Sequence, residues 1–303
     1  MSAAETQSVI FEKVAVVGIG LIGSSILHAA SHKAAAKRLT SFDGDEGVRA
    51  KARDLNLPGD VCETLEEAVS DADLVVLAIP VGAMAKAVSA LAPFLKAGSI
   101  ITDTGSTKRS VISDVAGLVP EHAAFIPGHP LAGTEFSGPA AGFPALFEDR
   151  YWLLLPEQAE AAQVDRLDAF CQRLGAITER MDADYHDRVL ALTSHLPHLI
   201  AYTIVGTAVD LEGALKNDVI RFSASGFRDF TRIAASDPTM WRDVFLNNHE
   251  AVLEMLQRFT EDLSYLQRAI RWQEGDKLFE LFSRTRDIRR SILDAGQDQN
   301  WER

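Results

Sequence analysis

The stretch KVAVVGIGLIGSSI, residues Lys13 to Ile26, decides the fold. Val14 to Val17 form a short apolar run that predicts a buried strand, and Ser24 to Ala30 continue with helix-compatible residues. Between them, Gly18, Gly20 and Gly23 complete G-x-G-x-x-G. The first glycine permits a tight turn, the second lets backbone N–H groups approach a pyrophosphate, and the third lets the helix pack close to the strand. The helix N-terminus adds oriented amides and the positive end of a dipole. Alone the glycine pattern is weak, since a structural turn can carry it. Asp43 strengthens it, lying twenty residues past Gly23 at the end of a second apolar run, Leu39 to Phe42. A carboxylate there accepts both ribose hydroxyls and repels a 2′-phosphate, so NAD is expected rather than NADP. The residues expected to bind it are Gly18, Ile19, Gly20, Leu21, Ile22, Gly23 and Asp43. Ile79 and Pro80 from the next apolar strand join them, with Thr104 from the one after.

Strand-like and helix-like segments alternate from there to about residue 181. Helices are expected over Glu46–Leu55, Leu65–Ser70, Val81–Leu95, Thr107–Leu118 and Val164–Leu174. Strands are expected over Asp73–Pro80, Ser99–Thr102, Ala124–Pro127, Trp152–Leu155 and Ile177–Arg180. Such alternation predicts an α/β, doubly wound, mostly parallel sheet of Rossmann type, with its ligand beyond the carboxyl ends of the strands. From Met181 the pattern becomes helical. Asp182–Asp210 is kinked only at Pro197, and Asp237-Pro238 opens a further helix as N-cap and first helical residue. Apolar residues then recur three or four apart almost to Asp294, among them Val252, Met255, Phe259, Leu263 and Leu266. The expected organisation is a nucleotide-binding domain over 1–181 and an all-helical substrate and dimerisation domain over 182–303. The helical tail has apolar faces to spare for a second subunit.

The 303 residues carry 43 acidic and 30 basic side chains, a formal net charge of −13, which argues against nucleic acid or an anionic membrane as partner. NAD and a carboxylate substrate are themselves anions, so local basic groups must overcome the global field. The 47% hydrophobic and 24% charged content is that of a soluble globular protein. Cys62 and Cys171 lack metal-spaced neighbours and read as reduced thiols. No apolar run is expected to reach membrane-spanning length, and MSAAETQS lacks a signal pattern, so a cytoplasmic place is expected.

Three polar clusters fall where the topology puts the ligand. Asp103-Thr104-Gly105-Ser106-Thr107-Lys108 follows a strand; Ser106 or Thr107 is expected to cap the next helix, and either hydroxyl can also serve the site. In Gly128-His129-Pro130-Leu131-Ala132-Gly133-Thr134-Glu135, His129 emerges at a strand end, where imidazole suits a general base. Ser194-His195-Leu196-Pro197-His198 puts two histidines on one helix face. No Glu or Cys completes a metal set there, so a polar lining for an anionic substrate is expected and no metal. Ser225 to Arg232 reads as a glycine-broken loop with two guanidinium groups, each able to fork a carboxylate.

Together GxGLIG, Asp43, DTGSTK, GHPLAGTExSG, SHLPH and GFRDFTRIAxSDPxMW resemble the prephenate/arogenate dehydrogenase family of tyrosine biosynthesis, over nearly the whole chain. The resemblance implies NAD-dependent oxidative decarboxylation of prephenate, or of arogenate, to 4-hydroxyphenylpyruvate or tyrosine. His129 is then the catalytic base and Ser106 a catalytic partner bonded to it and to the substrate hydroxyl. Arg232 takes a substrate carboxylate, and His195, His198, Ser194, Asp229 and Trp241 line the pocket. A homodimer through the helical domain is implied as well. The short leader and the end soon after the last helix suggest neither a fused mutase nor an amino-acid-sensing domain. The alternatives are an arogenate-specific enzyme, a 3-hydroxyacid dehydrogenase using Lys216, and an NAD-binding scaffold without turnover.

Overall fold

A computed structural model describes residues 9–157, 159–210, 221–222 and 224–294. The chain divides into two compact units, Met1–Val252 and Leu253–Arg303.

The first unit opens with strand β1 (Phe11–Val17), helix α1 (Leu21–His32), β2 (Ala36–Phe42), α2 (Glu46–Asp54), β3 (Asp60–Val61) and α3 (Leu65–Val69). It continues with β4 (Leu74–Leu77), α4 (Met84–Leu91), β5 (Ile100–Asp103), α5 (Arg109–Val115) and β6 (Ala124–Phe125). These strands form one sheet in the order β3-β2-β1-β4-β5-β6, every pair parallel. The order reverses between β1 and β4, the crevice where such sheets bind nucleotides. The composition of the central strands follows from double coverage. Val14, Val16, Leu74 and Val76 enter one apolar cluster with Ile26, Leu27 and Phe170, while Ala15, Val17, Val75 and Leu77 enter another with Met84, Val88 and Leu91. Alternate residues serve opposite faces, so both must be apolar.

The expected strand Ala124–Pro127 is corrected. β6 stops at Phe125, and a new strand β7 (Gly128–Pro130) begins in a second sheet with β8 (Tyr151–Leu154) and β9 (Ile177–Arg180). β7 and β8 are antiparallel; β8 and β9 are parallel, joined through α6 (Ala161–Arg173). Pro127 has no N–H to extend the β6 ladder. Its carbonyl instead accepts from Leu155 N–H at 2.9 Å, and the chain passes into the second sheet.

The helical part starts with α7 (Ala183–Leu190), capped by Asp182, whose side chain accepts from Tyr185 N–H at 2.8 Å. A wide π turn over Ala191–His195 leads into α8 (Leu196–Val209). The helical run Ala183–Ala208 is long and apolar enough to cross a membrane, with mean hydropathy 1.4, which corrects the expectation that no run reaches that length. The polar residues His186, Asp187, Arg188, His195 and His198 interrupt it in the sequence. His186, Asp187 and His195 are buried and Asp187 is bonded to α5, so these polar residues face protein, while Arg188 is exposed. The expected loop at Ser225–Arg232 is helix α9 (Ser225–Thr231) followed by a 3-10 turn (Arg232–Ala235). Gly226 sits in its first turn, where glycine costs little helix stability. Helix α10 (Pro238–Asn247) is capped by Asp237, which accepts from Met240 N–H at 2.8 Å.

α11 (His249–Arg271) runs out of the first unit, and α12 (Gly275–Asp294) lies in the second. The continuous periodicity expected to Asp294 is broken at Gln273, which has φ 56°. The Lys216 reading lies outside the described residues.

Two glycines of the opening motif are sterically required. Gly18 has φ +95°, and a Cβ on Gly23 would stand 1.9 Å from the Gly18 carbonyl oxygen. At Gly20 a Cβ would meet nothing within 4 Å. Gly23→Ala is therefore expected to lower the free energy of urea unfolding by about 1–3 kcal/mol. Gly20→Ala, at the N-cap of α1, should cost apoprotein stability no more than about 1 kcal/mol while weakening NAD binding. Equal destabilisation by the two would contradict this assignment.

Candidate active site

At the carboxyl ends of β1, β2, β4 and β5 the structure brings together the residues expected to hold NAD. Gly18 N–H bonds the Phe42 carbonyl at 2.8 Å, fixing the turn against β2. Asp43 then leans across: one oxygen accepts Ile19 N–H at 2.8 Å and the other accepts Asp45 N–H at 3.0 Å. Each oxygen keeps a lone pair for a ribose hydroxyl. Leu21 and Ile22 are half-buried in the first turn of α1, and the Ile19 side chain belongs to the core. Ile79 and Pro80 leave the end of β4, and Thr104 bonds the Leu77 carbonyl through its N–H at 3.1 Å. The open space over Gly20 and the free amides of the α1 N-terminus fit a pyrophosphate.

Beside this cradle, DTGSTK is folded around a buried ion pair. Asp103 at the end of β5 accepts Gly128 N–H at 3.2 Å, Gly105 N–H at 2.9 Å and the Lys108 ammonium. Lys108 also donates to the Gly128 carbonyl at 2.8 Å. Both side chains are fully buried. Burial pulls the Lys108 pKa down, against the opposing pull of Asp103 and Asp187. The pair clips the β5 loop to β7 and so places His129.

His129 is buried, with Nδ1 at 2.8 Å from His186 Nε2; His186 Nδ1 lies 2.8 Å from an Asp187 carboxylate oxygen. That oxygen also accepts Lys108 N–H at 2.8 Å, and its twin accepts Arg109 N–H at 2.9 Å. The N-terminus of α5 is thus capped by a carboxylate 79 residues away. This corrects the expected capping by Ser106 or Thr107: no side-chain cap bond is made from within the loop, and Thr107 Oγ1 pairs with Ser110 Oγ at 3.0 Å. Among the described residues no hydrogen bond joins Ser106 to His129; the Ser106 backbone faces His195 instead.

Burial pushes Asp187 up, but the His186 bond and the two amides outweigh it and hold the carboxyl ionised. Burial lowers His186 despite Asp187, and lowers His129 well below its ordinary value, with the charges of His186, Lys108 and His195 acting in the same direction. With the carboxylate accepting, neutral His186 carries its proton on Nδ1 and offers Nε2 as acceptor. His129 must then donate from Nδ1, which leaves its Nε2 bare. Nε2 is thereby left as the acceptor nitrogen of a buried imidazole.

His195 is ordered from the other side. Asn248 Nδ2 donates to the Asp187 carbonyl at 2.9 Å and to His195 Nδ1 at 3.1 Å, so the His195 proton sits on Nε2. Among the described residues, His195 Nε2 and Trp241 Nε1 are buried polar atoms that make no well-formed hydrogen bond, with the Ser106 backbone near enough to His195 to pull its pKa up against burial. His198 stacks on Trp241 with ring centroids 3.6 Å apart and bonds the Ser194 carbonyl at 2.9 Å. Arg232 is 60% exposed and pairs with Glu135, on the His129 loop, at 3.2 Å. Its charge also lowers His198, after burial and against the Ser194 bond. Asp229 lies exposed on α9. His186, Asp187 and Asn248 went unmarked in the sequence, where His-Asp inside DADYHD looks like an ordinary helix face.

Three histidines buried neutral make stability depend on pH. The unfolded chain takes up protons near pH 6.5, whereas folded His195, pulled down by burial to about 4, does not. Stability is therefore full above pH 6.5 and falls as pH drops toward 4. His195 alone contributes a loss of about 3 kcal/mol there, and His129 and His186 act in the same direction. Urea midpoints measured over this range check it, and a midpoint that holds or rises on acidification contradicts it.

Two family models match most of the chain: "Prephenate dehydrogenase, nucleotide-binding domain" over residues 28–179 and "Prephenate dehydrogenase, dimerization domain" over residues 182–284. The cyclohexadienyl dehydrogenase of Zymomonas mobilis is 42% identical over 93% of this chain and 97% of its own. Among solved structures, the prephenate dehydrogenase of A. aeolicus, determined with hydroxyphenyl propionate and NAD+, superposes with a TM-score of 0.86. It is 28% identical and covers 95% of this chain and 100% of its own. Synechocystis arogenate dehydrogenase superposes at 0.78, with 26% identity over 92% of this chain and 99% of its own. With its parallel sheet, glycine-rich first turn and helical partner domain, the chain belongs to the prephenate dehydrogenase family of NAD-dependent oxidoreductases.

Proposed function

We propose that the protein oxidatively decarboxylates a cyclohexadienyl acid, with prephenate as substrate and arogenate as the alternative, using His129 as general base. The observation that carries this reading is the buried chain His129–His186–Asp187, whose terminal carboxylate implies a tautomer that leaves His129 Nε2 bare. NAD bound in that crevice supplies the acceptor for the hydride leaving the carbinol carbon. His129 Nε2 takes the proton of the ring hydroxyl as that hydride departs. The bond to the ring carboxylate then breaks, its electron pair enters the ring, and CO₂ leaves. Aromatisation generates a phenolate oxygen, to which His129 returns the proton. Such general-base help is worth about 10²–10⁴ in rate. The relatives' names support both substrates: one is a cyclohexadienyl and one an arogenate dehydrogenase.

The N–H groups of His195 and Trp241 are donors for the substrate's polar groups, and stacked His198 holds the Trp241 ring in place. Arg232 offers its remaining N–H groups to a substrate carboxylate, with Glu135 orienting the guanidinium. Ser106, half-buried on the loop between β5 and α5, is assigned to the substrate hydroxyl in this reading. A homodimer is part of the proposal: α11 and α12 expose Leu263, Ile270, Phe279, Phe282 and Ile288, more apolar surface than a monomer usually shows. So is a cytoplasmic setting, in keeping with Cys62 and Cys171 as free thiols.

NADH formation with prephenate and with arogenate tests the reaction, and absence of turnover with both would refute it. His129→Asn should lower kcat about 10²–10⁴-fold with NAD affinity intact. Because the base is neutral until well below pH 6.5, kcat/KM should stay flat through neutrality and fall only on the acid side of that value; a fall beginning above pH 7 would exclude His129. Arg232→Ala should raise the substrate KM about 10–100-fold, as expected for a hydrogen-bonded charge, and leave the KM for NAD unchanged. Equal effects on both ligands would remove Arg232 from the substrate site.

A further inference from the structure

Behind His129 lies a chain of groups that the proposed reaction, as written so far, uses only for orientation. His186 is fully buried and Asp187 is 2% exposed. The chain does not reach solvent. Its last member, the Asp187 carboxylate, accepts from His186 and from the two amides of Lys108 and Arg109, none of which can pass a proton on to water. A wire for exporting protons would need an outlet, and this one is sealed at the start of α5.

The reaction supplies a reason for a sealed end. The hydroxyl proton is lost as the hydride leaves and is needed again when the phenolate forms, so none is released overall. We propose that His186 and Asp187 form a closed proton store behind His129. They act as positioning residues that fix its tautomer and hold the borrowed charge between the two halves of the reaction. When Nε2 of His129 takes the hydroxyl proton, the Nδ1 proton moves 2.8 Å-separated nitrogen to nitrogen onto His186 Nε2. His129 is again neutral, now protonated on Nε2, and the positive charge rests on His186 against the Asp187 carboxylate. The reverse shift frees the proton for the phenolate. The other charged or titratable groups facing the pair are Lys108, Asp103 and His195. Lys108 is bound to Asp103. His195 has its proton placed by Asn248.

This rests on His129 being the base, and the experiment separates the two. In the ¹⁵N-histidine-labelled apoprotein at pH 7, side-chain NMR should show His129 and His186 both neutral with the proton on Nδ1. An Nε2-protonated His129 in that state overturns the store whatever the activity. His186→Leu should lower kcat about 10²-fold, with the NAD dissociation constant and substrate KM within about threefold of wild type. His186→Gln is the conservative variant: its carbonyl accepts from His129 and its amide donates to Asp187, so tautomer and packing survive while the proton cannot pass. It should recover part of the loss, with the acid limb of kcat moved to lower pH because the His129 imidazolium has lost its outlet. If His129→Asn abolishes turnover while both His186 variants match wild type, the base stands and the store falls. If His129→Asn keeps full turnover, both fall.

Discussion

The Asp187 carboxylate is the constraint on which the site depends. From the first turns of the helical half it accepts the first amides of α5 and the proton of His186 at once. One side chain thereby fixes where α5 begins, joins the helical half to the nucleotide-binding sheet, and decides which nitrogen of His129 is bare. An N-terminal cap is usually supplied from the residue just before the helix. Here it comes from a different layer, so the loop between β5 and α5 is free of that duty.

The nucleotide half was legible in the sequence because its determinants are local. Gly18, Gly20, Gly23 and Asp43 act through backbone space and one carboxylate at a fixed spacing, and the apolar runs of β1 and β4 report burial on both faces. The break between β6 and β7 was hidden. Ala124 to Pro130 reads as one strand followed by a turn, and only the pairing of Pro127 with Leu155 shows that the chain changes sheets there. That change matters, since it sets His129 on a short antiparallel strand directly over the Lys108–Asp103 clip. Helix α9 was hidden for a different reason: Gly226 is a breaker inside a helix but tolerated in a first turn.

The site was legible as a set of candidates and illegible as a network. His129, His195, His198, Arg232 and Trp241 stand out by type and motif. Their partners do not. His186 and Asp187 act across 57 and 79 residues, and Asn248 reaches His195 across 53. Nothing in local spacing encodes contacts of that range. The π turn at Ala191–His195 belongs with them: it ends on buried His195, and such turns recur at functional sites.

Charge placement ties the buried groups together. A fully buried lysine ordinarily loses its proton unless carboxylates hold it charged. Lys108 has two within its surroundings, Asp103 in direct contact and Asp187 further off. At rest the three therefore carry one net negative charge in a region closed to water. A buried uncompensated charge is costly, and Asp187 meets part of that cost by accepting from His186 and the two amides of α5. Burial and the Lys108 charge nonetheless hold His129 and His186 below their ordinary values, against the pull of the carboxylates on His186. The lysine of DTGSTK therefore does two things at once: it clips β5 to β7 through Asp103 and Gly128, and it opposes a resting proton on the imidazoles behind it.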